Sequence, residues 1–199
     1  MSSAPAYLKP YLDAAARHGA GFKSLLWATP RTQAVRFEAL ARSCQLEGRI
    51  VLDVGCGRAD FLDFLLQSNT PPARYIGLEA IETLADAAEQ KRHPSARIIR
   101  GDFVRQPELL DQNADVILFC GSLNTLGKFQ IFQALAMAWK FTGHQLGFNF
   151  LCSPRLAAAP HLVWQSKSEM LDPLDAYGGR ITVDDQYLMG DCTVAITKI

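Results

Sequence analysis

From Arg49 onward, short apolar runs alternate with stretches whose apolar residues recur at helical steps. The runs at 49–55 (RIVLDVG), 74–80 (RYIGLEA), 96–102 (ARIIRGD), 114–120 (ADVILFC) and 144–151 (HQLGFNFL) have strand length and β-branched or aromatic content. Between them, 58–68, 82–92 and 128–141 carry a helical period; in the last, Phe129, Phe132, Leu135, Ala136 and Trp139 recur at steps of three or four. Strand–helix alternation of this kind predicts a parallel sheet covered on both faces. The runs 180–188 (RITVDDQYL) and 192–199 (CTVAITKI) are separated only by Met189-Gly190-Asp191, too little chain for a crossover helix, which predicts an antiparallel hairpin. Residues 1–48 read as helical. Pro10 can open a first helix and Gly19 close it, and Thr29-Pro30 starts a second over about 30–45. The expected fold is α/β, a single domain over 1–199 with a helical cap (1–48) on a Rossmann-like doubly wound core (49–199).

Composition narrows the class. Of 199 residues, 49% are hydrophobic and 20% charged, enough to bury a core and too apolar for disorder. No apolar run approaches the roughly 18–20 residues of a membrane span, and Met1-Ser2-Ser3-Ala4-Pro5 lacks the start of a secretory signal. Five scattered cysteines without a CxxC, and four scattered histidines, argue against a disulfide framework and a metal site and for a reducing cytoplasm. Twenty basic and twenty acidic residues disfavour a general nucleic-acid binder. The charge is nevertheless uneven: residues 1–50 hold seven basic and three acidic side chains, and 151–199 four and six.

Candidate chemistry centres on Val51-Leu52-Asp53-Val54-Gly55-Cys56-Gly57-Arg58-Ala59-Asp60, at the junction of the first strand and first helix. Open α/β sheets bind ligands there, and Gly55 and Gly57 admit a ligand against bare main chain, although a plain tight turn uses the same residues. Glu79, closing the second strand, suits the two hydroxyls of a ribose. Asp102, closing the third, suits an exocyclic adenine amine. The plainer alternatives are a solvated strand-end acid and a turn cap. Asp60 stands where a pyrophosphate fingerprint has its third glycine. A carboxylate there suits a cationic ligand better than a phosphate, and S-adenosylmethionine is a sulfonium without phosphate. No lysine lies four residues after any tyrosine, as a short-chain reductase would require.

These segments resemble class I S-adenosylmethionine-dependent methyltransferases, of the small bacterial type, across residues 49–199. VLDVGCGRAD resembles the family's first motif, YIGLEA its acidic second-strand motif, IIRGD its adenine motif and ADVILFCGSLN its fourth-strand motif. The resemblance implies a seven-stranded sheet with a reversed last strand. Asp53, Gly55, Cys56 and Gly57 would then sit by the methionine and ribose, Glu79 would hold the ribose, and Asp102 would read the adenine. Ala80, Ile81 and Phe103 would flank the ring, and Cys120 and Gly121 would lie near the methionine. Ala59, where many members have glycine, is a mild departure.

For the acceptor, the loop after the fourth strand lacks an Asp-Pro-Pro-Tyr or Asn-Pro-Pro-Tyr motif. Ser122 and Asn124 can orient a substrate or merely shape the turn. Trp27–Phe37 resembles a pre-core helix in which a basic or amide side chain reaches the donor's carboxylate; Arg31 is the first candidate and Arg36 the second, against a solvated helix face. His161 is the histidine placed for base work, with simple solvation as the alternative, and Tyr7, Tyr11, Trp164 and Tyr177 can wall a pocket. The expectation is an enzyme that methylates a small molecule, in the cytoplasm and without a membrane partner. An RNA or protein methyltransferase and a non-catalytic donor-binding module are the alternatives, with an NAD-dependent oxidoreductase a distant third.

Overall fold

The computed structural model describes residues 4–199. The predicted helices α1 (Lys9–His18) and α2 (Pro30–Ser43) precede β1 (Ile50–Val54). Gly19, at φ 58°, ends α1. Thr29 starts α2 by a reciprocal cap in which its hydroxyl accepts from Thr32 N and the Thr32 hydroxyl accepts from Thr29 N. Strands and helices then alternate: α3 (Asp60–Gln67), β2 (Arg74–Glu79), α4 (Glu82–Gln90), β3 (Ala96–Arg100), β4 (Val116–Phe119), α5 (Lys128–Phe141) and β5 (Gln145–Leu151). A short helix α6 (Lys167–Leu171) and a 3-10 segment (Asp172–Tyr177) lead to β6 (Arg180–Asp184) and β7 (Asp191–Thr197).

The seven strands form one sheet in the order β3-β2-β1-β4-β5-β7-β6. The first five are parallel, and β7 runs antiparallel to both β5 and β6. The chain moves outward from β1 through β2 to β3, then returns to place β4 on the other side of β1. That reversal opens a crevice at the carboxyl ends of the strands.

Strand alternation sorts the two layers. Leu52, Val54, Ile117 and Phe119 face one side and pack with α5, α6, the 3-10 segment over Asp172–Tyr177 and a second one over Pro107–Leu110. Val51, Val116 and Leu118 face the other and pack with Phe37 and Leu40 of α2 and Phe61 and Leu65 of α3. Tyr75, on that same side, is fully buried with Leu62 and Ala88. Asp53 shares this face, so a carboxylate is carried into the apolar layer at the tip of β1.

A buried ion pair fastens the cap. Arg36 of α2 bonds Asp191 at the start of β7 through both Nε (2.6 Å) and Nη2 (2.5 Å) to Oδ2, with both side chains nearly inaccessible. Tyr187 donates to the other Asp191 oxygen, and Thr193 donates to Tyr187. The Arg36 guanidinium also lies 5.1 Å from the centre of the Trp27 ring.

Two elements depart from the sequence reading. The run at 180–188 yields a strand only to Asp184, because Gln186 N bonds Asp184 Oδ1 and the chain turns there. The helical stretch over 167–177 had no counterpart in the sequence reading. Its signal was Ser166-Lys167-Ser168-Glu169, a capping box in which the Ser166 hydroxyl accepts from Glu169 N. Among the described residues, no helix is long and apolar enough to cross a membrane.

Candidate functional site

A cleft of about 1040 Å³, counting the open space at its mouth, lies over the carboxyl ends of β1 to β4 and under the N-terminal cap. Its floor is the bend after β1. Gly55 has φ 75°, and a β-carbon there would lie 2.5 Å from the Ser122 β-carbon, so the loops after β1 and β4 can touch only if this residue has no side chain. Ser122 closes the contact by donating its hydroxyl to Val54 O at 2.5 Å. This is the turn-shaping alternative for Ser122. Ala59 also lies at positive φ (57°), a conformation costing a non-glycine residue about 1 kcal/mol; its methyl is buried in return.

Glu79 joins two loops. Its Oε2 accepts from Gly57 N at 2.7 Å and its Oε1 from Ile81 N at 2.8 Å, so one carboxylate fixes the turns after β1 and β2 together. Burial raises its pKa, and the backbone donors partly counter that. Each oxygen keeps a second lone pair for a ligand hydroxyl. Asp102 accepts from Val104 N at 3.0 Å through Oδ1 and from the Tyr7 hydroxyl at 2.6 Å through Oδ2. Phe103 and Ile81 lie beside these acids in the cleft wall.

Asp53 is the unusual member. It is 2% exposed; its Oδ2 accepts from Tyr75 at 2.5 Å, and its Oδ1 has no partner. Desolvation raises its carboxyl from 3.8 to about 7, the Tyr75 bond opposes the rise, and the charge of Glu79 adds to it. A carboxylate left half-satisfied in an apolar layer is costly unless a cation completes it. Asp60, also in the cleft wall, is already paired with Arg58 (2.7 Å) and Lys91 (2.8 Å). The lining therefore holds four carboxylates (Asp53, Asp60, Glu79 and Asp102) and contains no Lys, Arg or His.

The loop after β4 supplies the far wall. Gly121 N donates to Asn149 Oδ1 at 2.8 Å, and Asn149 also points its amide at Cys120 Sγ (3.5 Å). Gly121 has φ 77°, and a β-carbon there would meet the Trp27 ring at 2.6 Å. Asn124 is 8% exposed and lines the cleft, and its Oδ1 has no partner. Burial raises Tyr11 to about 12 and raises the Cys56 and Cys120 thiols, so all three stay protonated at neutral pH.

The structure thus brings together Asp53, Gly55, Cys56, Gly57, Glu79, Ala80, Ile81, Asp102, Phe103, Cys120, Gly121 and Asn124 in one lining. Other candidates fall elsewhere. Arg31 is exposed and outside the lining, because the first turn of α2 points it to solvent. Arg36 is committed to Asp191. The α2 side chains that reach the cleft are Gln33 and Phe37. His161 lies outside this cleft, in a shallow groove beside it. Trp164 is 42% exposed, and Tyr177 stacks on Trp139 at 5.6 Å on the opposite layer, so neither walls the cleft, whereas Tyr7 and Tyr11 do. Leu8, Leu25 and Trp27, which the sequence reading did not single out as lining residues, complete the roof.

The strand order with one reversed strand, and an acid-lined cleft at the switch point, define a Rossmann-like, doubly wound fold of the methyltransferase kind. Residues 51–143 match the family model described as a methyltransferase domain. Among curated proteins none matches the sequence. Solved structures share the fold. The DhpI–SAM–HEP complex is 14% identical over 100% of both chains with a TM-score of 0.70. Magnesium protoporphyrin IX methyltransferase (ChlM) from Synechocystis PCC 6803 with bound SAM is 13% identical over 100% of both chains, TM-score 0.68. The pyocyanin biosynthetic protein PhzM is 18% identical over 98% of this chain and 69% of its own, TM-score 0.69. The matched segment and the fold are thus similar to those of methyltransferases, several of them solved with SAM or SAH bound.

Proposed function

We propose that the chain methylates a small molecule and that the donor lies across the tips of β1 to β4. The observation that carries this reading is the lining itself, four carboxylates with no basic side chain and one carboxylate oxygen left unpaired. Such a surface favours a ligand with positive charge and no phosphate, and disfavours a dinucleotide. When bound, S-adenosylmethionine supplies a methyl group activated by a sulfonium. Asp53 Oδ1 receives the ammonium of its amino-acid end, which satisfies the unpaired oxygen of a buried anion. Glu79 accepts the ribose hydroxyls while holding the two loops in place. Asp102 accepts the adenine amine, beside Phe103, and Gln33 offers an amide to the donor's carboxylate.

The acceptor enters from the side of Asn124 and the cap. Leu8, Tyr11, Trp27 and Leu162 give that side an apolar wall, and they exclude water from the transfer path. The loops and cap leave no broad basic face at the cleft lining, which supports a small substrate over RNA. The likeness to ChlM and PhzM, named for porphyrin and pyocyanin chemistry, agrees with that size class. The whole chain, 1–199, then acts as one unit, with the cap over 1–48 as part of the site.

Isothermal calorimetry with S-adenosylhomocysteine and with NAD tests the reading. Micromolar binding of the first, lost in Asp102→Ala and Glu79→Ala, and no binding of NAD, is the expected result. Binding of NAD in its place would refute it.

A further inference from the structure

The cleft continues into a second hollow with the opposite charge. Lys9, Asp13 and Arg17 repeat every four residues along one face of α1 and, with Leu26 and His161, line a shallow groove beside the cleft mouth. Leu26 belongs to both linings, and His161 is followed directly by Leu162 of the inner wall. Lys9 pairs with Asp13 at 2.9 Å, and the Arg17 Nε donates to the Asp13 main-chain carbonyl at 2.9 Å, so the groove holds two basic side chains against one acid. The inner lining carries only negative charge. An acceptor that reaches from one hollow to the other is therefore oriented by the field: an anionic group is repelled by the inner carboxylates and held at the groove.

The buried end is specified by Asn124. Its Oδ1 is an acceptor without a partner, so it calls for a hydrogen donor on the substrate. The neighbouring groups offer no free base: Asp53 Oδ1 is taken by the donor's ammonium in the reading above, Tyr11 and the Cys56 and Cys120 thiols hold their protons, Asp60 is ion-paired, and Glu79 and Asp102 already accept two bonds each. A nucleophile that reacts without first losing a proton and still presents a hydrogen is a neutral amine. The two ends are neighbours through the chain: the Asn124 main-chain carbonyl accepts from Val163 N at 2.7 Å, two residues beyond His161 of the groove.

Resting on the small-molecule reading above, we infer that the acceptor is an amphipathic amino acid in the broad sense: a neutral amine of the arylamine type on an apolar body, with an anionic group that reaches the adjoining groove and is held there by Lys9 and Arg17. The amine lone pair forms the new C–N bond as the C–S bond breaks and its electron pair passes to sulfur. The resulting ammonium gives its extra proton to water. Asn124 Oδ1 accepts one N–H and so turns the lone pair towards the methyl group; Asn124 is a positioning residue that neither gives nor takes a proton.

The test uses the full chain and the matched probes para-aminophenylacetate and para-aminocinnamate, their methyl esters, and the corresponding phenols. Turnover is read as S-adenosylhomocysteine release, and binding by calorimetry on protein saturated with S-adenosylhomocysteine. The amino acids should exceed their esters about tenfold in kcat/KM and in affinity, the size of one charge-assisted contact. In a Lys9→Gln/Arg17→Gln variant the acid-to-ester ratio should fall towards one, and Asn124→Ala should lower kcat for acids and esters alike. Esters equal to acids, phenols preferred to amines, or neither binding nor turnover of any amino acid by protein that binds S-adenosylhomocysteine would overturn the inference. Failure to bind S-adenosylhomocysteine at all would instead remove the reading beneath it.

Discussion

Replacing Asp53 by asparagine keeps the shape of the cleft floor and removes its charge, and two opposite effects should follow. Burial raises the carboxyl from 3.8 to about 7, so the folded chain holds that proton more tightly than the unfolded chain. Its contribution to stability is therefore greatest below about pH 4, declines as the pH climbs towards 7, and is level above that. At about 1.4 kcal/mol for each pH unit between those values, ionised Asp53 costs the ligand-free fold roughly 4 kcal/mol. Asparagine avoids that cost but leaves an amide group unpaired where Oδ1 now has no partner, which costs about 1–3 kcal/mol. Asp53→Asn should then exceed the parent in stability by roughly 1–3 kcal/mol at pH 8, several degrees of melting temperature, and the gain should vanish near pH 5. Donor binding should move the other way. Affinity of the parent chain for S-adenosylmethionine should rise from pH 6 to pH 8 as Asp53 ionises, while the variant binds about tenfold more weakly at pH 8, the worth of one charge-assisted bond. Thermal melts across pH 5–9, paired with calorimetry, measure both. A variant less stable than the parent at pH 8, a stability difference independent of pH, or unchanged donor affinity would refute the assignment of Asp53 as the cation's partner.

Three other substitutions probe the frame. Glu79→Gln keeps one acceptor but sets an amide against Gly57 N or Ile81 N, so S-adenosylhomocysteine affinity should drop about tenfold or more by calorimetry; a change within twofold would count against the bridging role. Arg36→Ala strands Asp191 as an unpaired buried charge and should cost about 3–5 kcal/mol in urea unfolding, with most of it recovered in Arg36→Met/Asp191→Leu. Gly121→Ala places a methyl into the Trp27 ring at positive φ and should cost about 1–3 kcal/mol and weaken donor binding, read by melting temperature and titration; an unperturbed melt would mean the roof is looser than described.

Much of the frame was legible in the chain. Strand tips are written in runs such as IVLDV and YIGLE because parallel strands buried on both faces must be apolar throughout. The acids that end them stand out for the same reason. Gly55, Glu79 and Asp102 could thus be placed at one edge from local pattern alone. What escaped depends on partners far along the sequence. Arg31 and Gln33 look equally able to face inward, and only the packing of α2 on α3, with Phe37 against Phe61 at 5.1 Å, selects Gln33. The loneliness of Asp53 Oδ1 arises because Tyr75, on the adjacent strand, satisfies one oxygen and the apolar layer surrounds the other. Tyr7 meets Asp102 across 95 positions of sequence, a separation at which no spacing rule operates. The helix after β5 is announced only by its capping box, because Pro160, Pro173 and the Gly178-Gly179 pair around it leave too short a stretch for a helical period to show.

The tie between Arg36 and Asp191 has a consequence for the order in which the pocket matures. The residues touching the donor's expected position end at Leu162, yet the indole that roofs it leans on an arginine whose counter-ion arrives some thirty residues later, on β7. During synthesis the floor is laid first and the roof lacks its anchor until that strand emerges and threads beside β5. A ribosome-bound chain halted before Asp191 would carry all the residues of the cleft lining and hold the nucleoside poorly, so a defect in β7 would read out as a loss of cofactor retention rather than as a missing contact.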